Sequence, residues 1–261
     1  MVRCSSPVSP SPSNSITNLR ILVLVPTYNN AKTLQTVLDR LWAHTHNILV
    51  VNDGSTDETL QLLHHYPHPI NIVTYPENRG KGHALVTGFR EAMMLGYDYA
   101  ITIDSDGQHY PEDLPLFVRK VSEQQRPTII VGSRELEHEN KSRGAIFATR
   151  LANFWFAFQT WQYLPDTQSG YRLYPLHHLH GLDLITSRYE AELELLVFSA
   201  WHGVAIDTVP IRVYYPPKEE RVSHFRPGWD FARIFLLNTL LFFVSIFFGW
   251  WLMGWKRLNH N

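Results

Sequence analysis

The stretch Ile101-Thr102-Ile103-Asp104-Ser105-Asp106-Gly107-Gln108-His109 decides the fold, because it joins a buried strand to an acidic turn. The apolar run from Tyr99 to Ile103 predicts the strand. Side chains of an extended segment alternate between two faces, so Asp104 and Asp106 share one face. Two carboxylates this close repel each other unless a cation lies between them, and Mg²⁺ or Mn²⁺ completed by substrate phosphates suits that place. An ordinary polar turn is the alternative for an isolated Asp-x-Asp.

Strand and helix patterns alternate five times along the first half of the chain. The apolar runs that predict strands are Ile21–Val25, Ile48–Val51, Ile70–Thr74, Tyr99–Ile103 and Thr128–Val131. This alternation predicts an α/β fold with a doubly wound, mostly parallel sheet. Ligands of such sheets bind beyond the carboxyl ends of the strands. Polar clusters follow all five runs there: Thr27–Asn29, Asn52–Ser55, Asn78–Lys81, Asp104–Gln108 and Ser133–Arg134.

Composition and charge limit the possible classes of protein. The chain has 261 residues and a formal net charge of -1, and it has no basic run that would favour nucleic acid. Its one cysteine, Cys4, excludes an intrachain disulfide and fits a reducing compartment. Residues 1–18 are rich in Ser, Pro and Asn and predict a disordered tail. Residues 19–230 form the predicted catalytic domain.

The C-terminal region is long and apolar. Residues 234–255 contain no charged side chain, so residues 231–257 are predicted to form a single membrane-spanning or membrane-embedded helix. Three tryptophans near its end suit a membrane interface, and flanking cations favour the cytoplasmic side for the catalytic domain. A buried core helix and a re-entrant or interfacial helix pair are the alternatives.

Several polar residues predict roles by their chemistry. Asp53 at a strand end can accept the N–H groups of a uracil or a guanine, or it can cap a turn. The Arg79-Gly80-Lys81-Gly82 turn places N–H groups and a cation near a helix N-terminus, where anions bind. Arg134, Arg143 and Arg221 can neutralise a second phosphate. A hydroxyl acceptor would need a general base, for which the candidates are Asp166, Glu190, Glu192 and Glu194.

A phosphatase is one competing interpretation. Asp-x-Asp-Gly after a strand also opens the haloacid-dehalogenase motif, but that motif has Thr or Val where Gln108 stands. It also lies on the first strand of its fold, whereas the run before Asp104 is the fourth strand predicted here.

Four motifs together resemble those of family 2 glycosyltransferases: Val25-Pro26-Thr27-Tyr28-Asn29, Val51-Asn52-Asp53-Gly54-Ser55-Thr56-Asp57, Asn78-Arg79-Gly80-Lys81-Gly82 and Asp104-Ser105-Asp106-Gly107-Gln108. Asp166-Thr167-Gln168-Ser169-Gly170-Tyr171-Arg172 and Val209-Pro210-Ile211 are similar to the dolichyl- or polyprenyl-phosphate branch of that family. The resemblance covers roughly residues 20–230.

The resemblance implies a GT-A fold, a divalent metal and inverting transfer of a hexose from a UDP- or GDP-sugar to a membrane lipid, most often a polyprenyl phosphate. It implies metal ligation by Asp104 and Asp106, and acceptor contacts by Arg134 and Arg221. Gln108, two residues beyond Asp106, is a further candidate metal ligand or a contact of the sugar. Asp106, Arg134, Arg221 and Glu192 are the predicted catalytic residues. The predicted nucleotide site comprises Pro26, Thr27, Tyr28, Asn29, Asp53, Gly54, Ser55, Lys81 and Asp104. A glycolipid or glycan hydroxyl acceptor and a non-catalytic sugar-nucleotide binder are the alternatives.

Overall fold

The computed structural model describes residues 19–135, 143–179, 184–215 and 227–249. The predicted disordered tail at 1–18, Arg221 and residues 250–257 of the predicted membrane helix lie outside these residues.

Strands and helices alternate through the described chain. The strands are β1 (Ile21–Thr27), β2 (Ile48–Asp53), β3 (Asn71–Tyr75), β4 (Tyr99–Thr102), β5 (Thr128–Arg134), β6 (Arg172–Pro175) and β7 (Ala205–Ile211). The helices are α1 (Ala31–Trp42), α2 (Thr59–His64), α3 (Lys81–Met94), α4 (Leu114–Ser122), α5 (Arg143–Thr160), α6 (Ala191–Trp201) and α7 (Pro227–Val244). A π-helical turn, Ser245–Gly249, continues α7.

The strands form one sheet in the order β3-β2-β1-β4-β6-β5-β7. Only β6, among the described strands, runs antiparallel to its neighbours, and Arg172 at its start lies opposite Thr102 of β4 and Val131 of β5. The prediction of a doubly wound, mostly parallel sheet is therefore confirmed. The start of β6 lies at the edge where β4 and β5 end, so the turn that precedes β6 reaches the predicted ligand-binding edge.

Both faces of the sheet carry helices. Alternate side chains of β1 point to opposite faces and show which helices cover each one. Ile21, Val23 and Val25 pack with α1 and α4 on one face. Leu22 and Leu24 pack with α3 and α6 on the other. Every one of these strand side chains is fully buried. Two buried faces need an apolar residue at each position, which explains the continuous apolar runs in the sequence.

Helix α7 covers most of the predicted membrane segment. Its Leu237 and Leu241 are buried in the same apolar cluster as α3, α5 and α6. One side of α7 is thus part of the core of the domain. Among the described residues, no helix has both the length and the apolar character needed to cross a bilayer.

Candidate active site

Asp53, the buried last residue of β2, anchors the loop between β3 and α3. Its carboxylate accepts hydrogen bonds from Asn78 Nδ2 (2.9 Å) and from the N–H groups of Arg79 (2.7 Å) and Gly80 (2.8 Å). Burial raises the pKa of Asp53, although these hydrogen bonds and nearby His83 and Arg188 act in the opposite direction. The carboxylate therefore fixes the shape of residues 78–80, and a nucleotide base would share it with these donors.

The loops after β1 and β2 are joined by hydrogen bonds. The Asn29 N–H donates to Ser55 Oγ (3.0 Å), and Asn29 Oδ1 accepts from the Thr56 N–H (2.7 Å). Gly54 has a φ of +65°, and a Cβ there would lie 2.3 Å from the carbonyl carbon of Glu77. Only glycine fits this approach. Thr27 is buried and Tyr28 is half-buried beside Asn29, so these predicted nucleotide residues lie next to the point where the two loops are joined.

Ser105, between the two aspartates, anchors the acidic turn to the β1 loop. Its hydroxyl donates to the Pro26 carbonyl (3.2 Å) and accepts from Asn30 Nδ2 (2.7 Å). Thr33 Oγ1 donates to the Ser105 carbonyl (2.7 Å). The positions of Asp104 and Asp106 therefore depend on residues that the sequence did not assign to the site. Asn30 and Thr33 carried no signal of their own, because both look like the start of an ordinary helix.

Lys81 joins three distant segments of the chain. Its ammonium lies 2.6 Å from Asp104 Oδ1 and 2.9 Å from Glu192 Oε2. Burial favours the neutral amine, yet the two carboxylates raise the pKa of Lys81, so it stays charged. Burial likewise opposes ionisation of Asp104, but Lys81 holds the pKa of that carboxyl below its usual value. The cation predicted for an anion site thus lies between two carboxylates.

Asp106 and His109 differ electrostatically from Asp104. Burial, and next the charge of Asp104, raise the pKa of Asp106 to about 6. Asp106 Oδ1 accepts the Gln108 N–H at 3.0 Å. Burial lowers the pKa of His109 to about 4, so this imidazole is neutral, with Nε2 4.0 Å from Asp104 Oδ2. His109 lies in the stretch that decides the fold, but its sequence gave no sign that it faces the carboxylates.

Arg134, the last residue of β5, forms a two-pronged ion pair with Asp166. Its Nε and Nη2 lie 2.6 and 3.0 Å from the two carboxylate oxygens. Asp166 is fully buried. Burial alone would raise the pKa of Asp166, but the Arg134 guanidinium holds it below its usual value. Asp166 is therefore a poor general base, and it fixes the direction in which Arg134 points.

The turn before β6 brings Gly170 against Asp104. A Cβ at Gly170 would lie 2.5 Å from Asp104 Oδ2 and 2.8 Å from Lys81 Nζ. Fully buried Arg172 holds this turn by donating to the carbonyls of Thr167 (2.9 Å), Ser169 (2.6 Å) and Glu192 (2.7 Å). The position of this arginine between the apolar residues Tyr171 and Leu173 was the available signal for such a buried anchor.

The three glutamates of α6 point to different places. Glu192 contacts Lys81. Glu194 accepts from the N–H groups of Ile185 and Thr186, and Glu190 Oε1 lies 3.7 Å from Arg233 of α7. Glu192 is thus linked to Asp104 through Lys81, and its Oε1 is buried without a hydrogen-bond partner.

The side chains present suit a hard divalent cation. Asp104, Asp106 and Gln108 offer oxygen ligands, which Mg²⁺ and Mn²⁺ prefer. Within the described part of the chain, no three His, Cys, Asp or Glu side chains are grouped to hold a metal. A cation at this turn would therefore have few protein ligands and would need others from a phosphorylated substrate.

Comparisons with known proteins agree with this geometry. Residues 22–177 match the model described as glycosyl transferase family 2. The chain is 28% identical over 217 residues to the UDP-N-acetylglucosamine--dolichyl-phosphate N-acetylglucosaminyltransferase of Methanococcus voltae, covering 75% of this chain and 86% of the relative. It is also 28% identical, over 204 residues, to the undecaprenyl-phosphate mannosyltransferase of Micrococcus luteus, covering 74% and 83%.

A solved structure supports the fold alone. The glucosyl-3-phosphoglycerate synthase of Mycobacterium tuberculosis, crystallised with Mn²⁺, UDP and phosphoglyceric acid, superposes with a TM-score of 0.67 at 20% identity. The match covers 92% of this chain and 84% of that chain. The predicted GT-A fold is thereby confirmed.

Proposed function

Since the chain belongs to glycosyl transferase family 2, we propose that it transfers a hexose from a UDP- or GDP-sugar to a polyprenyl phosphate at a membrane, with inversion. The relatives named for dolichyl- and undecaprenyl-phosphate acceptors support this branch of the family. The C-terminal membrane span and the cytoplasmic orientation stay predictions, since the span continues into residues 250–257.

The observation that carries the proposal is that the residues best placed to act as a general base are held in ion pairs or are weakly basic. Asp166 is bound to Arg134, and Glu192 is bound to Lys81. His109 has a pKa of about 4 and is a weak base. A hydroxyl acceptor needs a base to remove its proton, whereas a lipid phosphate is already anionic. The site therefore suits an acceptor phosphate better than a hydroxyl.

Each group has a task in the proposed reaction. Asp104, Asp106 and Gln108 would hold Mg²⁺ or Mn²⁺, which would supply positive charge to the departing nucleoside diphosphate. Lys81 adds a fixed positive charge beside the same carboxylates. Arg134, aimed by Asp166, binds the acceptor phosphate, and the loops of Asn29 and Asp53 bind the nucleoside. Positioned charges of this kind are the main source of rate enhancement where leaving-group charge develops.

The test is transfer of radiolabelled sugar to undecaprenyl phosphate in the presence of Mn²⁺. We would offer UDP-glucose, UDP-N-acetylglucosamine and GDP-mannose to the full chain and to Asp106→Asn. Asp207→Asn is the matched control, because Asp207 pairs with Lys120 away from the acidic turn.

Transfer into the organic phase that is lost only in Asp106→Asn supports the proposal and identifies the donor. Nucleotide binding without an extractable product would favour a hydroxyl acceptor or a binding protein. Absence of nucleotide binding would refute a glycosyltransferase role.

A further inference from the structure

The carboxylate of Asp53, which the proposed function assigns to the nucleoside, already uses most of its capacity to accept hydrogen bonds. An ionised carboxylate has about four lone-pair positions, two on each oxygen. Oδ2 accepts from Asn78 Nδ2 (2.9 Å) and from the Gly80 N–H (2.8 Å), and Oδ1 accepts from the Arg79 N–H (2.7 Å). Donors within the described residues thus fill both positions on Oδ2. A single position, on Oδ1, is left for a ligand.

Asn78 is held firmly against Asp53. Its Nδ2 also donates to the backbone carbonyl of Asp53 (3.3 Å), so one amide group contacts two acceptors of the same residue. The backbone of the β2 loop packs on the backbone of Asn78, because a Cβ at Gly54 would lie 2.5 Å from the Asn78 nitrogen. Asp53 itself is only 3% exposed. A ligand therefore meets a small part of the carboxylate, and Asn78 cannot leave Oδ2 unless the loop shifts.

The segment before α6 holds the second donor to Oδ2. A Cβ at Gly80 would lie 2.5 Å from the Ser187 carbonyl oxygen and 2.8 Å from Arg188 Cγ. The His83 N–H donates to the same Ser187 carbonyl (3.1 Å), which ties this segment to the first turn of α3. The Gly80 N–H is therefore fixed by packing, as Asn78 is.

This packing also brings a positive charge near Asp53. Arg188 is half-buried, and its guanidinium has no hydrogen-bond or ion-pair partner among the residues that the structure describes. Its charge favours the ionised form of Asp53 and so acts to lower the pKa of that carboxyl. A cation in this place attracts the carbonyl oxygen of a base and repels the hydrogens of an amino group.

Uracil and guanine differ in the groups that surround their ring N–H. Uracil has one ring N–H between two carbonyl oxygens. Guanine has a ring N–H between a carbonyl oxygen and an amino group, so a carboxylate pairs with it through both oxygens at once. At Asp53 the amino group of guanine would meet Oδ2, where both positions are filled. A buried N–H without an acceptor is costly, so guanine fits this site worse than uracil.

We propose that Asp53 and Asn78 select a uridine nucleotide, so that the sugar donor is a UDP-sugar and not a GDP-sugar. The ring N–H of uracil donates to Asp53 Oδ1, and the neighbouring positive charge of Arg188 favours its flanking carbonyl oxygens. Asn78 determines the specificity, because it occupies the oxygen that the amino group of guanine needs. The inference rests on the proposed function and narrows its donor to one nucleotide class.

The test compares three nucleotides by calorimetric titration of the full chain in the presence of Mn²⁺, without an acceptor. UDP should bind roughly tenfold or more tightly than GDP, because guanine leaves a polar group unpaired. CDP is the control nucleotide, since the ring nitrogen of cytosine at this place carries no hydrogen. It should also bind more weakly than UDP.

Asn78→Ala tests the residue that determines the specificity, because it frees a position on Asp53 Oδ2. The ratio of the UDP and GDP affinities should fall several-fold towards one. The ratio is the quantity to follow, since a loosened loop weakens both nucleotides alike. Asn71→Ala is the matched control, because Asn71 lies at the other end of β3 and its Nδ2 bonds the Ile48 carbonyl (3.4 Å). That variant should keep the wild-type ratio.

The outcomes separate this inference from the proposed function. Wild-type protein that binds GDP or CDP as tightly as UDP would overturn the inference and leave the transferase proposal standing. Failure to bind any of the three nucleotides would refute both. An unchanged ratio in Asn78→Ala protein that unfolds at the wild-type temperature would contradict the role of Asn78. If Asn78→Ala does not fold, the wild-type comparison alone decides the choice of base.

Discussion

Replacement of Gly170 by alanine tests the geometry of the site with one methyl group. The new Cβ would lie 2.5 Å from Asp104 Oδ2 and 2.8 Å from Lys81 Nζ. Ordinary contacts are about 3.5 Å, so the carboxylate must retreat by roughly 1 Å. A displacement of about 1 Å at a reacting centre costs up to ~100-fold in rate. That loss corresponds to about 2.7 kcal/mol of transition-state stabilisation, at 1.36 kcal/mol for each factor of ten.

Stability should change less than activity does. The methyl group meets the ends of two side chains and no backbone atom among its nearest neighbours, so the free energy of unfolding should fall by about 1–3 kcal/mol. Gly228→Ala is the matched control, because a Cβ there meets nothing within 4 Å. We expect that variant to retain wild-type activity.

The assay has two parts. Calorimetric titration of UDP or GDP with Mn²⁺ reports the metal and diphosphate site without an acceptor, and transfer to undecaprenyl phosphate reports kcat/KM. Thermal unfolding confirms that each variant folds. A folded Gly170→Ala protein with wild-type affinity and wild-type kcat/KM would refute the assigned positions of Asp104 and Lys81.

Three further predictions concern the same site. Asp166→Ala leaves Arg134 buried without its partner and should cost about 3–5 kcal/mol of unfolding free energy at pH 7, measured by urea titration. The pKa of Asp166 is lower in the folded protein than in the unfolded chain, so the ionised carboxylate stabilises the wild type above about pH 4. The difference in unfolding free energy between the wild type and Asp166→Ala should therefore shrink as the pH falls below that value. Asp53→Asn replaces one carboxylate oxygen with an NH₂ group, which cannot accept the N–H group of Arg79 or Gly80. The change should lower the free energy of unfolding by about 1–3 kcal/mol and weaken nucleotide binding measured by calorimetry. Chelation with EDTA should abolish transfer, and added Mn²⁺ or Mg²⁺ should restore it; transfer that survives chelation would contradict the metal assignment.

Local sequence patterns predicted the strands and the polar loops at their ends, because each strand buried on both faces must be apolar along its whole length. They could not predict the pairing of Lys81 with Glu192, since these residues are far apart in the chain and meet only through packing of α3 on α6. The close approach of Gly82 to Ala191, where a Cβ would lie 2.3 Å from the alanine Cβ, makes that packing possible.

The C-terminal helix shows a different limit. Hydropathy counts apolar residues but does not say which of them face protein. Leu237 and Leu241 contribute to the same apolar run as Phe235 and Phe243, yet the first pair is buried and the second is exposed. The sequence of such a helix, buried along one side and apolar along the other, therefore resembles that of a membrane span.

The antiparallel insertion of β6 has a consequence for the order in which the chain folds. Strand β5 precedes β6 in the chain but reaches β4 only through it. The sheet from β3 to β4 can form as soon as its residues emerge during synthesis, since its three parallel pairings, β2 with β3, β1 with β2 and β1 with β4, need no residue beyond the end of β4. The other half must wait for residues 172–175. The contacts of Asp104 with Gly170 and of Arg134 with Asp166 therefore form late, and the nucleotide half of the protein is structured before the acceptor half exists.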